Sequence, residues 1–83
     1  MKQETYKAAR SRLLKELAER GWEVKPNLVR PQAISPDKSV QLFFRAQSVY
    51  LDNKKKGQLS MWVDIRNLPV EELIRKTGYR PIS

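Results

Sequence analysis

The chain predicts an α+β fold in the order α-β-β-β-α, a three-stranded antiparallel meander sheet with both helices packed on one face. Three observations predict it: an apolar stripe of helical period near the N-terminus, period-two alternation through the middle, and a short capped helical segment near the end. At 83 residues there is room for one domain with one modest core, spanning 1–83.

From Glu4 to Arg20 the residues Tyr6, Ala9, Leu13, Leu14 and Leu17 recur at three- and four-residue steps, the stripe of an amphipathic helix. Gly21 supplies a left-handed stop. The opposite face carries Arg12, Lys15, Glu16 and Glu19, with Arg12/Glu16 and Glu16/Arg20 at ion-pair spacing. Arg10 falls inside the apolar stripe, where a guanidinium needs a partner or an exit to solvent, and a salt bridge to an acid such as Asp64 is expected.

After Gly21 the period changes. Trp22, Val24 and Leu28 alternate with polar residues, and Pro26 marks this strand as an edge or bulged one. Ser35-Pro36-Asp37-Lys38 reads as a turn. A long strand follows from Val40, with Val40, Leu42, Phe44 and Ala46 on one face and Phe43 and Arg45 on the other. Its phase slips at Val49 and Leu51, which predicts a bulge near Gln47 or Ser48 that turns Tyr50 outward. Asp52 to Gln58 is a polar hairpin loop with three consecutive lysines. Leu59, Met61, Val63 and Ile65 then alternate with Ser60, Trp62, Asp64 and Arg66. Pro69 opens the second helix, Glu71 and Glu72 complement its dipole, Val70, Leu73 and Ile74 face inward, and Gly78 ends it.

Seventeen lysines and arginines against nine acids give a net charge of +8 and a pI near 10.1. A field of that sign attracts polyanions, so nucleic acid is the first expected partner. With no cysteine and no histidine the usual thiolate and imidazole chemistry is missing, the glycines are too far apart for a phosphate loop, and no cofactor, metal or enzymatic activity is expected. No membrane span or secretory pattern is read, membrane is not an expected partner, and the expected location is the cytoplasm.

If both helices cover the Val40, Leu42, Phe44, Met61, Val63 and Ile65 face, then Phe43, Arg45, Tyr50, Trp62 and Arg66 look outward beside Asp64. Aromatic planes among guanidinium groups suit a single strand better than a duplex, and Lys54, Lys55 and Lys56 extend the surface toward phosphates. The rival expectation is a protein–protein interaction domain, a homodimer or an accessory or inhibitory protein of a mobile element, using the exposed sheet face or edge strand.

The helix, three-stranded meander, helix order resembles the double-stranded RNA-binding domain. That resemblance implies a duplex gripped by the first helix, the loop after the first strand and the start of the second helix. Here the second helix starts Pro69-Val70-Glu71-Glu72, acidic where that family is basic, and no residue is carried over. Pro36-Asp37 followed by Asp52-Asn53-Lys54 also matches the restriction-endonuclease-like pattern of two metal-binding acids and a lysine. On a single straight strand the two acids would stand roughly 50 Å apart, too far for one metal unless the chain folds back near Gln47.

Overall fold

The computed structural model describes residues 3–25 and 29–80. Helix α1 spans Tyr6–Glu19, and the Thr5 side chain caps it by accepting from the Ala8 N–H at 3.1 Å. Ala9, Leu13, Leu14 and Leu17 are buried, as their spacing predicts. Gly21 at φ 86° reverses the chain, so that Trp22 folds beneath the helix with its N–H donating to the Leu17 carbonyl at 3.1 Å. Helix α2 spans Val70–Thr77 and ends at Gly78 in the left-handed conformation.

Between the helices lie five strands where three were expected: β1 (Glu23–Lys25), β2 (Gln32–Ile34), β3 (Val40–Phe44), β4 (Val49–Asn53) and β5 (Gln58–Trp62). They pair antiparallel in the order β1-β2-β3-β4-β5. The five-stranded meander removes the topological basis of the likeness to the double-stranded RNA-binding domain. Two elements account for the difference.

The stretch expected as one long strand is the β3–β4 hairpin. Its turn, Arg45 to Ser48, is closed by the Arg45 N–H donating to the Ser48 carbonyl at 2.8 Å, and it sets Phe44 opposite Val49 and Leu42 opposite Leu51. The phase slip is therefore a turn and not a bulge. Geometry favours it: twelve extended residues reach about 40 Å, whereas the 14-residue α1 covers about 21 Å. A straight strand would carry half its apolar residues past the helix. Folding back instead keeps Val40, Leu42, Phe44, Val49 and Leu51 in the single apolar cluster that the helices also join, all buried.

The second difference is β2, whose Ala33 pairs with Leu42 of β3 and with Val24 of β1. The strand expected after Gly21 is β1, and it is an edge strand as Pro26 suggested. Pro26, Asn27 and Leu28 lie outside the described residues.

Both helices contribute to one apolar cluster with the inward face of the sheet, which includes Leu13, Leu17, Leu42, Leu51, Val70 and Leu73. Asn53, buried at the end of β4, ties that layer together. Its side-chain amide donates to the Thr77 carbonyl at 2.7 Å, and its oxygen accepts from the Lys56 N–H at 3.1 Å. The Glu4 carboxylate plays a similar role at the other helix: it takes two bonds from Arg12, at 2.7 and 2.9 Å, and one from the Asn67 N–H at 2.8 Å. Those bonds hold the Glu4 carboxyl below its ordinary pKa, chiefly through the Arg12 side chain, and raise that of Arg12. Among the described residues no helix is long and apolar enough to cross a membrane.

Candidate nucleic-acid interface

Among the described residues no helix covers the outer face of the sheet, and only part of the expected constellation stands on it. Phe43 and Tyr50 are cross-strand partners on this face, and the Arg45 guanidinium lies 5.1 Å from the centre of the Tyr50 ring. Trp62 is not there. The Lys54–Gly57 turn fixes Asn53 opposite Gln58, and this register sends Gln58, Ser60 and Trp62 to the helix side while Leu59 and Met61 point outward. Trp62 sits opposite Val49, partly buried against the core, with its indole N–H donating to the Asp64 carbonyl at 3.0 Å. Met61 and Val63, expected inside, are 43% and 69% exposed, and Leu59 is 70% exposed. Of the four alternating apolar residues only Ile65 is buried. It lies beyond the strand, where its N–H donates to the Gln47 carbonyl at 3.2 Å.

Arg66 is committed elsewhere. Its guanidinium grips Asp64 with two bonds at 3.0 and 2.8 Å and stacks 4.4 Å from the centre of the Tyr6 ring, which ties the β5–α2 connection to α1. The Arg66 bond lowers the Asp64 pKa and raises that of Arg66. Arg10 does not meet Asp64 either: its guanidinium donates to the Ala46 carbonyl at 3.0 Å and clamps the tip of the β3–β4 hairpin to α1.

The three lysines fall into different surroundings. Lys54 is exposed, Lys55 reaches Asp37 at 3.3 Å, and the Lys56 side chain lies over Gly78 at the end of α2. They stand at the opposite end of β4 from Arg45, about 16 Å away along the strand.

The denser concentration of charge is a groove of about 980 Å³ between α1, the segment around Val29 and Arg30, and the hairpin tip. Lys7, Arg10, Lys15, Arg30 and Arg45 line it, and among the described residues no acid does. Its floor is apolar, formed by Leu14, Ala18, Val24, Pro31 and Phe44 among others. Four of its helical members, Lys7, Arg10, Leu14 and Ala18, recur at three- and four-residue steps on one stripe of α1. That stripe was open to reading in the sequence, since Glu16 and Glu19 fall outside it. The contributions of Arg30 and Arg45 were not, because they depend on where β2 and the hairpin turn bring the chain back. None of the five cations makes an ion pair among the described residues, whereas Arg12, Arg20, Lys25, Lys55, Arg66 and Arg75 all do. Arg45 links the groove to the outer face by way of Tyr50.

The two acids of the nuclease-like pattern stand differently from the expectation. The hairpin folds Asp52 back opposite Gln41, so the strand-length separation does not apply. Asp37, however, is fully engaged. It accepts from the Ser39 hydroxyl at 2.6 Å, the Ser39 N–H at 2.9 Å and the Ser35 hydroxyl at 2.8 Å, bonds that hold its pKa well below the carboxylate range. This carboxylate builds the turn into β3. Among the described residues no three acidic side chains gather as a metal site would need.

Compared with protein-family models, with curated proteins and with solved structures, the chain matches none.

Proposed function

We propose that this protein is a non-enzymatic nucleic-acid-binding module that takes single strands in preference to duplex. The observation that carries the reading is the groove: five cations without an acid, arranged around an apolar floor. A phosphate backbone gains from the cations through release of its counterions. The floor adds a preference, because unstacked bases have apolar faces to cover and paired bases already cover theirs. Arg45 and Tyr50 continue the path onto the outer face, where Phe43 offers a second plane. The lysine turn is a separate, secondary contact, and Trp62 and Arg66 support the scaffold.

The test is anisotropy of labelled oligonucleotides against salt. Single strands bind more tightly than duplex of equal length, and log K falls with log salt at about 0.7 per phosphate engaged. Binding that is absent at low salt, or that ignores salt, overturns the reading.

A further inference from the structure

At the far end of the sheet from the groove, β5 is an edge strand that, among the described residues, carries none of the usual protection. From Gly57 to Val63 there is no charged residue and no proline, in a chain of net charge +8. Single-chain proteins guard such edges with lysine, proline, a bulge or a covering segment, because unpaired backbone groups are a template for another strand. Here Leu59, Met61 and Val63 are instead exposed at 70, 43 and 69%. The opposite edge is guarded: β1 is three residues long, carries exposed Glu23 and Lys25, and runs into Pro26 in the sequence.

We propose that β5 pairs antiparallel with β5 of a second copy of this chain, across a two-fold axis at Ser60, joining two five-stranded sheets into one of ten strands. Two features favour a second copy over any other strand. An antiparallel strand set against itself is matched position by position: Leu59 meets Met61 of the second copy on the outer face, and Gln58 meets Trp62 on the helix side. Two chains of +8 repel, so a shared seam belongs where the surface has no charge, and this is such a stretch.

The inference does not rest on the nucleic-acid reading. It leaves both grooves open at the two outer ends of the joined sheet. A five-residue seam is smaller than a standard interface, so the dimer is of the weak, reversible kind that a concentration series resolves.

Sedimentation equilibrium over a micromolar concentration series, in salt high enough to exclude polyanions, tests it. The wild-type chain shifts from monomer to dimer, β5 amides exchange more slowly as concentration rises, and the double variant Leu59→Lys/Met61→Lys stays monomeric. Both side chains are exposed, so an unchanged circular dichroism spectrum accompanies the loss of dimer. Three outcomes overturn the proposal: a monomer at every concentration, a dimer that survives both lysines, or a dimer whose β5 amides exchange as in the monomer. None of these touches salt-dependent oligonucleotide binding by the groove.

Discussion

The two ends of the sheet are built on opposite principles. At the β1 end, short strands with exposed charges border a groove whose five cations have no acid among them. At the β5 end a five-residue strand presents uncharged, largely apolar side chains to solvent. Net charge alone is therefore a poor guide to where a polyanion would sit. Part of the positive charge is already paired with acids of the same chain: Arg12 with Glu4, Arg20 with Glu71 at 2.9 Å, and Arg66 with Asp64. What matters is the remainder, and it is unevenly placed.

The largest effect is expected from reversing charge at the groove. Lys7→Glu with Arg30→Glu weakens oligonucleotide binding about tenfold per reversal at low salt and reduces the salt slope by about 0.7 for each phosphate that is no longer neutralised. Neither residue makes an ion pair among the described residues, so the melting temperature holds. The matched pair Lys54→Glu with Lys56→Glu, at the other end of β4, weakens binding by less. If the loop pair causes the greater loss in an anisotropy titration, the polyanion sits on the lysine turn and not in the groove.

Why the sequence points to some of this and not the rest is clearest in β5. Its alternation is unmistakable, yet period two says only that neighbours face opposite ways, not which way is in. The direction is set by the preceding turn, which closes with Asn53 opposite Gln58 and commits Trp62 to the helix side. The usual guess, that the more numerous aliphatic set faces inward, fails because β3 and β4 already fill that layer. The β3–β4 turn was hidden for a different reason. Arg45-Ala46-Gln47-Ser48 contains no glycine, proline, asparagine or aspartate, so only the shift of apolar phase marks it. By contrast α1, α2 and the Lys54–Gly57 hairpin were legible, each bounded by a glycine at positive φ.

An intermediate effect is expected where β4 meets α2. Asn53 is 6% exposed and bonds both the Thr77 carbonyl and the Lys56 N–H. Asn53→Ala leaves two polar groups without their partner and costs about 1–3 kcal/mol. Each kcal/mol lowers the midpoint of a thermal melt by roughly 4–8 °C in a domain of this size. Because the lesion also loosens the lysine turn, it separates the two ends in binding: groove affinity survives once temperature is kept well below the melt. An unchanged melt would mean that water replaces the amide at no cost.

The smallest effects are in acid, and they report on two further joints between the ends. Glu4 bonds Arg12 and the Asn67 N–H, and its folded pKa lies below the ordinary 4.5. A carboxyl with a depressed folded pKa binds its proton more readily when the chain unfolds. Its contribution is therefore present above about pH 4.5 and is lost as pH falls through the lower folded value. Glu4 is only partly buried, so that contribution is below about 1 kcal/mol. Asp37, held by Ser39 and Ser35 in the turn between β2 and β3, has the same sign and a lower folded value, so its loss comes at still lower pH. Urea midpoints compared at neutral pH and in acid distinguish the two: Glu4→Gln flattens the upper part of the acid decline, and Asp37→Asn flattens the lower part. The nuclear magnetic resonance signals that move with each step should then belong to different places, near Asn67 for Glu4 and near Ser39 for Asp37. A single step common to both sets of signals would show that the two ends of the sheet unfold together, and that the asymmetry of this molecule is one of surface chemistry alone.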